Sequence, residues 1–167
     1  MESSIVPILE YPKGDTRIIE LRQFFQENFQ VYPDFLIRVP GRVNLIGEHI
    51  DYCGYGVCPM AIDQDILLAI SKVDSEEITL VNANDKYKKQ ILGKEFSGCT
   101  IPEWHHYFLC GVRGVQDTIS GDVKLKGMNV AVNGNIPPSA GLSSSSALVS
   151  SAALCTFYAN GVSEFIF

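Results

Sequence analysis

The chain has 167 residues, 46% of them hydrophobic and 10% aromatic, with 13 Lys and Arg against 19 Asp and Glu for a net charge of −6. That length is enough for one domain with a buried core, and the composition is that of a folded protein, not a disordered one. An acidic chain without a Lys/Arg run argues against nucleic acid as the main partner, because a phosphate backbone demands a basic face.

The opening, Met1 to Gly14, has no basic start followed by an apolar stretch, so no secretory signal is read there. Asp15 and Thr16 suit the cap of a helix reaching about Phe29. Ile18, Leu21, Phe25 and Phe29 then share one face, with Arg17, Glu20 and Gln23 turned elsewhere. Pro33-Asp34 breaks this helix, and Phe35–Val39 predicts a strand running into Pro40-Gly41. Residues Ala61–Val73 are nearly all apolar or β-branched, as in a strand buried on both faces. Within them, Asp63-Gln64-Asp65 is expected to mark a strand kink, not a catalytic pair. Glu77–Val81 and Lys88–Leu92 predict two further strands around the turn Asn82-Ala83-Asn84-Asp85.

Trp104–Ile119 predicts a helix with Trp104, Phe108, Val112 and Val115 along one side, while His105 and His106 are expected to pack or face solvent. Leu125–Val132 is expected to be a strand ending at Asn133-Gly134-Asn135, followed by a loop and a small-residue helix from Leu142 to about Ala159. Strands outnumber helices without alternating with them, which predicts an α+β fold with one mixed sheet covered by helices. Apolar runs such as Ile66–Ile70 fall far short of the roughly 20 residues that cross a bilayer, so no membrane partner is expected. Cys53, Cys58, Cys99, Cys110 and Cys155 are odd in number and unpaired in spacing, which predicts free thiols in the cytoplasm. His105-His106 has only Cys99 and Cys110 nearby, at no zinc-ligand spacing, and a metal–thiolate site is set aside.

Two segments carry chemistry. Pro137-Pro138-Ser139-Ala140-Gly141-Leu142-Ser143-Ser144-Ser145-Ser146-Ala147 joins a strand to a helix. Gly141 can take positive φ, and the serines open a helix whose free N–H groups and dipole favour an anion. On composition alone, a phosphate loop and a simple helix cap are equally compatible. The Lys of a G-x-x-x-x-G-K-[ST] loop is absent, as are the protein-kinase motifs. The second segment, residues 40–56, gathers Arg42, Glu48, His49 and Asp51 among glycines. Such groups suit the paired hydroxyls of a sugar, with Arg42 able to neutralise a transferring phosphoryl group. A surface loop with an ordinary ion pair is the alternative.

Together the two segments resemble the first two signature motifs of the GHMP kinases, the superfamily of galactokinase and of homoserine, mevalonate and phosphomevalonate kinases. Pro40-Gly41-Arg42-Val43-Asn44-Leu45-Ile46-Gly47-Glu48-His49 with Asp51-Tyr52 resembles the galactokinase signature, at residues 40–52, and Gly141-Leu142-Ser143-Ser144-Ser145 resembles the ATP-phosphate loop, within residues 137–147. The wording from Glu48 to Tyr55, the stretch Trp104–Gly111 and the phrase Asn135–Ser139 are closer to N-acetylgalactosamine kinases than to galactokinases.

The resemblance implies that residues 1–167 form a GHMP-kinase N-terminal domain, ribosomal protein S5 domain 2-like. It implies a cytoplasmic enzyme, monomeric when complete, whose partners are a small sugar and ATP with Mg²⁺. Arg42, Glu48, His49 and Asp51 would bind the galactose-type sugar, with Arg42 also catalytic. Ser139, Ala140, Gly141, Leu142, Ser143, Ser144 and Ser145 would wrap the triphosphate, and Ser145 would ligate Mg²⁺. The reaction implied is γ-phosphoryl transfer from ATP to the anomeric hydroxyl. In that family the proton-accepting aspartate follows the phosphate loop in a Gly-rich Met-Asp-Gln segment, which this sequence lacks. Truncation is therefore the expectation, with the chain inactive alone; a short amphipathic tail at Val162–Phe167 is the alternative reading of its end. A short sugar- or nucleotide-binding product with a regulatory role is the other reading.

Overall fold

A computed structural model describes residues 6–10, 12–93, 101–119, 124–138 and 140–161. Helix α1 (Thr16–Phe29) starts where expected, its first turn capped by the Asp15 carboxylate, which accepts the Ile18 N–H at 3.2 Å. Strands β1 (Phe35–Ile46), β2 (Cys58–Val73), β3 (Ile78–Asn82) and β4 (Gln90–Leu92) follow, then α2 (Trp104–Thr118), β5 (Gly127–Gly134) and α3 (Ser144–Ala159). The sheet order is β1-β2-β5-β3-β4, antiparallel except for the parallel β5–β3 pair. This is the expected α+β fold with a mixed sheet.

Alternation along the central strands divides the core. Leu68, Ile70, Leu80, Met128 and Val130 face α2 and α3, meeting Phe108, Leu148, Ala152 and Cys155. Leu67, Ala69 and Ala131 face α1 through Ile18, Leu21 and Phe25, with Phe29 at the margin. The period-2 and period-3.6 patterns in the sequence thus cover the sheet with helices on both faces.

Several boundaries differ from expectation for physical reasons. Strand β1 does not stop at Pro40-Gly41 but continues to Ile46. It is an edge strand, where a residue without an N–H costs no ladder bond, and the irregularity it causes is absorbed as a register slip between Pro40 and Arg42. Strand β2 is buried on both faces only from Asp65 to Ser71. Its first half runs past Gly134, the last residue of β5 to pair with it, and has only β1 beside it. Helix α3 begins at Ser144, not Leu142, because Ser143 is left-handed at φ 58°. Arg17 turns inward and pairs with Asp65 instead of pointing away from the core. Cys99, Ser139 and Val162–Phe167 lie outside the described residues.

Candidate functional site

The phosphate-loop candidate leaves the sheet at Asn135, is pinned by buried Ile136, and turns at Gly141, where φ is +69° as expected of glycine. Ser143 occupies the N-cap position of α3, yet its side chain makes no capping hydrogen bond. Of the two readings that composition left open, the cap reading is therefore the weaker. The first intrahelical bond runs from the Ala147 N–H to the Ser143 carbonyl at 2.9 Å. Helix geometry gives the N–H groups of Ser144, Ser145 and Ser146 no intrahelical acceptor, and they sit at the positive end of a four-turn dipole. An oxyanion suits that end of the helix.

The signature segment is built by the tail of β1 and the turn after it. The Asn44 side-chain amide donates to the Gly47 carbonyl at 3.2 Å. Gly47 takes φ +87°, and a Cβ there would stand 2.8 Å from Val57. His49 is left-handed at φ 56°, and Asp51–Cys53 form a 3-10 turn closed by Gly54, whose N–H donates to the Asp51 carbonyl at 3.0 Å. The Arg42 guanidinium stands 3.5 Å from Glu48 Oε1, and His49 Nε2 lies 3.8 Å from that oxygen.

The two segments meet. The Arg42 N–H donates to the Leu142 carbonyl at 3.2 Å. Gly41 makes the approach possible: a Cβ there would lie 2.9 Å from the same carbonyl and 3.1 Å from Ile136 Cδ1. Arg42, Glu48, His49 and Asp51 thus line one cleft of about 690 Å³ together with Ala140–Ser146. That volume lies within the usual range of small-molecule sites. Among the described residues, the carboxylates lining it are Glu48 and Asp51.

The cleft also has residues that pattern reading did not assign to it. Trp104 and Tyr107 from α2, Asn82 at the end of β3, and Asn84, Lys86 and Tyr87 from the turn after it also line the cleft. The Trp104 and Tyr87 rings are 5.6 Å apart, centre to centre, and tilted by 50°. Aromatic faces of this kind can hold a flat heterocycle. Trp104 read as a core residue because a helical stripe does not reveal which of its members ends at a cleft.

The neighbouring histidines divide their roles. His106 Nδ1 accepts the Glu103 N–H at 2.8 Å and so closes the start of α2. His105 is buried, its Nδ1 has no hydrogen-bond partner, and Glu103 Oε2 lies 3.6 Å away. Burial pushes its pKa down, the adjacent His106 adds to this, and Glu103 opposes it. On the α1 face, Asp65 is buried between the guanidinium groups of Arg17 and Arg38, away from the cleft. The register slip lies beside it, at residues 62–64, as the kink reading expected. Cys53, Cys58 and Cys110 are exposed free thiols, and buried Cys155 has its pKa pushed up to about 12 by burial. Among the described residues no three His, Cys, Asp or Glu side chains group as metal ligands, and no helix is long and apolar enough to cross a membrane.

Comparison with known proteins matches residues 23–72 to the galactokinase galactose-binding signature and residues 106–164 to the GHMP kinases N-terminal domain. A galactokinase of Schizosaccharomyces pombe is 36% identical over 165 residues, a match covering 90% of this chain and 32% of that protein. The chain thus spans about a third of that relative's length. A Candida maltosa galactokinase is 37% identical over 89% of this chain and 72% of its own length. Among solved structures, Lactococcus lactis galactokinase complexed with galactose superposes with a TM-score of 0.67 at 26% identity, covering 84% of this chain and 40% of that one.

Proposed function

The chain belongs to the galactokinase family of the GHMP kinases, and we propose from that premise that its cleft holds a galactose-type sugar against the triphosphate of ATP. The observation that carries this reading is the single cleft lined by both segments, joined where the Arg42 N–H meets the Leu142 carbonyl. Glu48, His49 and Asp51 would accept and donate hydrogen bonds to the sugar hydroxyls, galactose or N-acetylgalactosamine. Arg42 would sit at the boundary and stabilise charge on the phosphoryl group passing to the anomeric oxygen. Ala140–Ser145 would hold the phosphates, with Ser139 completing the loop, and the Trp104–Tyr87 end would take the base. The donor set fits Mg²⁺ only modestly: the Ser145 hydroxyl would be one oxygen ligand, and the nucleotide's own phosphate oxygens would supply most of the rest. We further propose that the protein works in the cytoplasm as a monomer.

Among the described residues, the carboxylates at the cleft, Glu48 and Asp51, are both engaged by this assignment to the sugar. The chain alone is therefore expected to bind both substrates and to transfer phosphate slowly or not at all, since a general base contributes about 10²–10⁴-fold. Calorimetric titration with ATP and with galactose tests the reading. Both ligands should bind the wild type. Asp51→Ala should weaken galactose at least tenfold with ATP unchanged, and Gly141→Val should do the reverse, because a β-branched residue resists the +69° φ. No ATP binding by the folded wild type, or a Gly141→Val variant that binds ATP normally, would refute it.

A further inference from the structure

The ladder between β2 and β5 ends at Ile66 opposite Gly134. One more rung lies beyond it, of unusual composition. The Asn135 N–H donates to the Asp65 carbonyl at 3.1 Å, but the Asp65 N–H is accepted by the Asn135 side-chain oxygen, at 2.7 Å, instead of a backbone carbonyl. The side chain thus completes the pair while the backbone of Asn135 turns away from the sheet into the loop.

The Asp65 side chain holds this junction from the opposite face. The residue is 1% exposed, and its carboxylate takes one guanidinium from α1 and another from β1. Arg17 also donates through Nε to the Asn133 side-chain oxygen at 2.9 Å and through Nη2 to the Asn133 carbonyl at 2.7 Å. Four elements therefore converge on the point where β5 ends. In register, Asp65 stands opposite Pro40, and the slip that follows places Arg42 opposite Ala61, with Ile62, Asp63 and Gln64 against Gly41 alone. The far end of the loop is held by that same stretch of β1, through the Arg42 N–H and the Leu142 carbonyl. The loop is pinned at both ends by one β1–β2 segment, and Asp65 is the last residue of β2 in regular register before the slip in that segment.

We infer that Asp65, with Arg17 and Asn135, is a positioning residue for nucleotide binding: from behind the sheet it sets the place of the loop that lines the cleft. This rests on the reading of that loop as the site of the phosphates. Asp65→Asn removes the charge that holds Arg17 and Arg38, and Asn135→Ala removes the side-chain rung while leaving both ion pairs intact. Each variant should raise the ATP dissociation constant on the order of tenfold, as loss of outer partners that orient a ligand set does. Galactose binding should change less than twofold, a split that general destabilisation would not produce. Hydrogen exchange in the ligand-free protein should quicken at the amides of Asn135 and Arg42, whose hydrogen bonds pin the two ends of the loop, and stay unchanged in α2. If Asp65→Asn fails to fold, Asn135→Ala carries the test. Unchanged exchange at the Asn135 and Arg42 amides in folded variants overturns the inference, whether or not ATP binds. Faster exchange in a wild-type background that does not bind ATP would leave the positioning standing and refute the phosphate assignment instead.

Discussion

At the scale of single residues, positive φ falls on Gly141, which has no Cβ to resist it, and also on His49 and Ser143, which do. Gly141 was legible because a Gly before a serine run at a strand–helix junction has few other uses, and it does take positive φ. Ser143 was not legible, since nothing in a serine says that it will be left-handed and leave the helix uncapped. Asp65 was hidden for a different reason. Its partners, Arg17 and Arg38, are distant in sequence, and a buried ion pair leaves no local pattern. His105 carries a prediction at this scale. Burial and His106 hold its pKa below the ordinary value near 6.5, so the unfolded chain protonates first as pH falls. Its contribution to stability is therefore complete above about pH 6.5 and lost progressively below it. The melting temperature should fall between pH 7.5 and 5.5, and His105→Gln, which cannot take up the proton, should flatten that fall. An identical slope in the variant would show that other groups govern it.

At the scale of elements, the three helices and five strands of the described residues were legible, most of them from a clear period or breaker and β4 from a weak alternation beside a turn, and their ends were not. The ends of β1 and α3 are set by tertiary facts: an edge position that admits Pro40, and a loop conformation that delays the helix. The packing of α2 on α3 was equally invisible, because it depends on a glycine whose use is to be small. A Cβ on Gly111 would lie 2.3 Å from the Val149 carbonyl and 2.7 Å from Ala152 Cβ, so the two helices touch almost backbone to backbone. No rotamer can relieve a clash with a main-chain oxygen. Gly114, one turn along α2, has nothing within 4 Å of its Cβ position. The two glycines should therefore respond with opposite sign to the same substitution. Gly111→Ala should destabilise by about 1–3 kcal/mol through overpacking, whereas Gly114→Ala should stabilise by up to about 1 kcal/mol through helix propensity. Urea unfolding of the two variants measures both, and a stable Gly111→Ala would mean that α2 can ride outward freely.

At the scale of the whole molecule, the order of the two segments in the chain says little about their distance in space; the fold brings them to one hydrogen bond. Strand β1 carries the signature segment, α3 follows the loop, and the pair is seated so that the buried Gly41 has its absent Cβ within 3.1 Å of Leu142, Ile62 and Ile136. A contact this tight cannot yield on one side alone. A ligand held at the loop would restrain the Leu142 carbonyl and, through the hydrogen bond it accepts, the backbone of Arg42, whose side chain stands beside Glu48. ATP should therefore tighten galactose binding, by at least about fivefold, the low end of measured coupling between sites. Galactose should tighten ATP by the same factor, since coupling free energy is reciprocal. Gly41→Ala must push β1 from the loop, so it should weaken the coupling more than it weakens either ligand alone. Titration of galactose with and without saturating ATP, and the converse, gives the two factors. Equal affinities in both arms would show that the shared hydrogen bond holds the cleft together without carrying information across it.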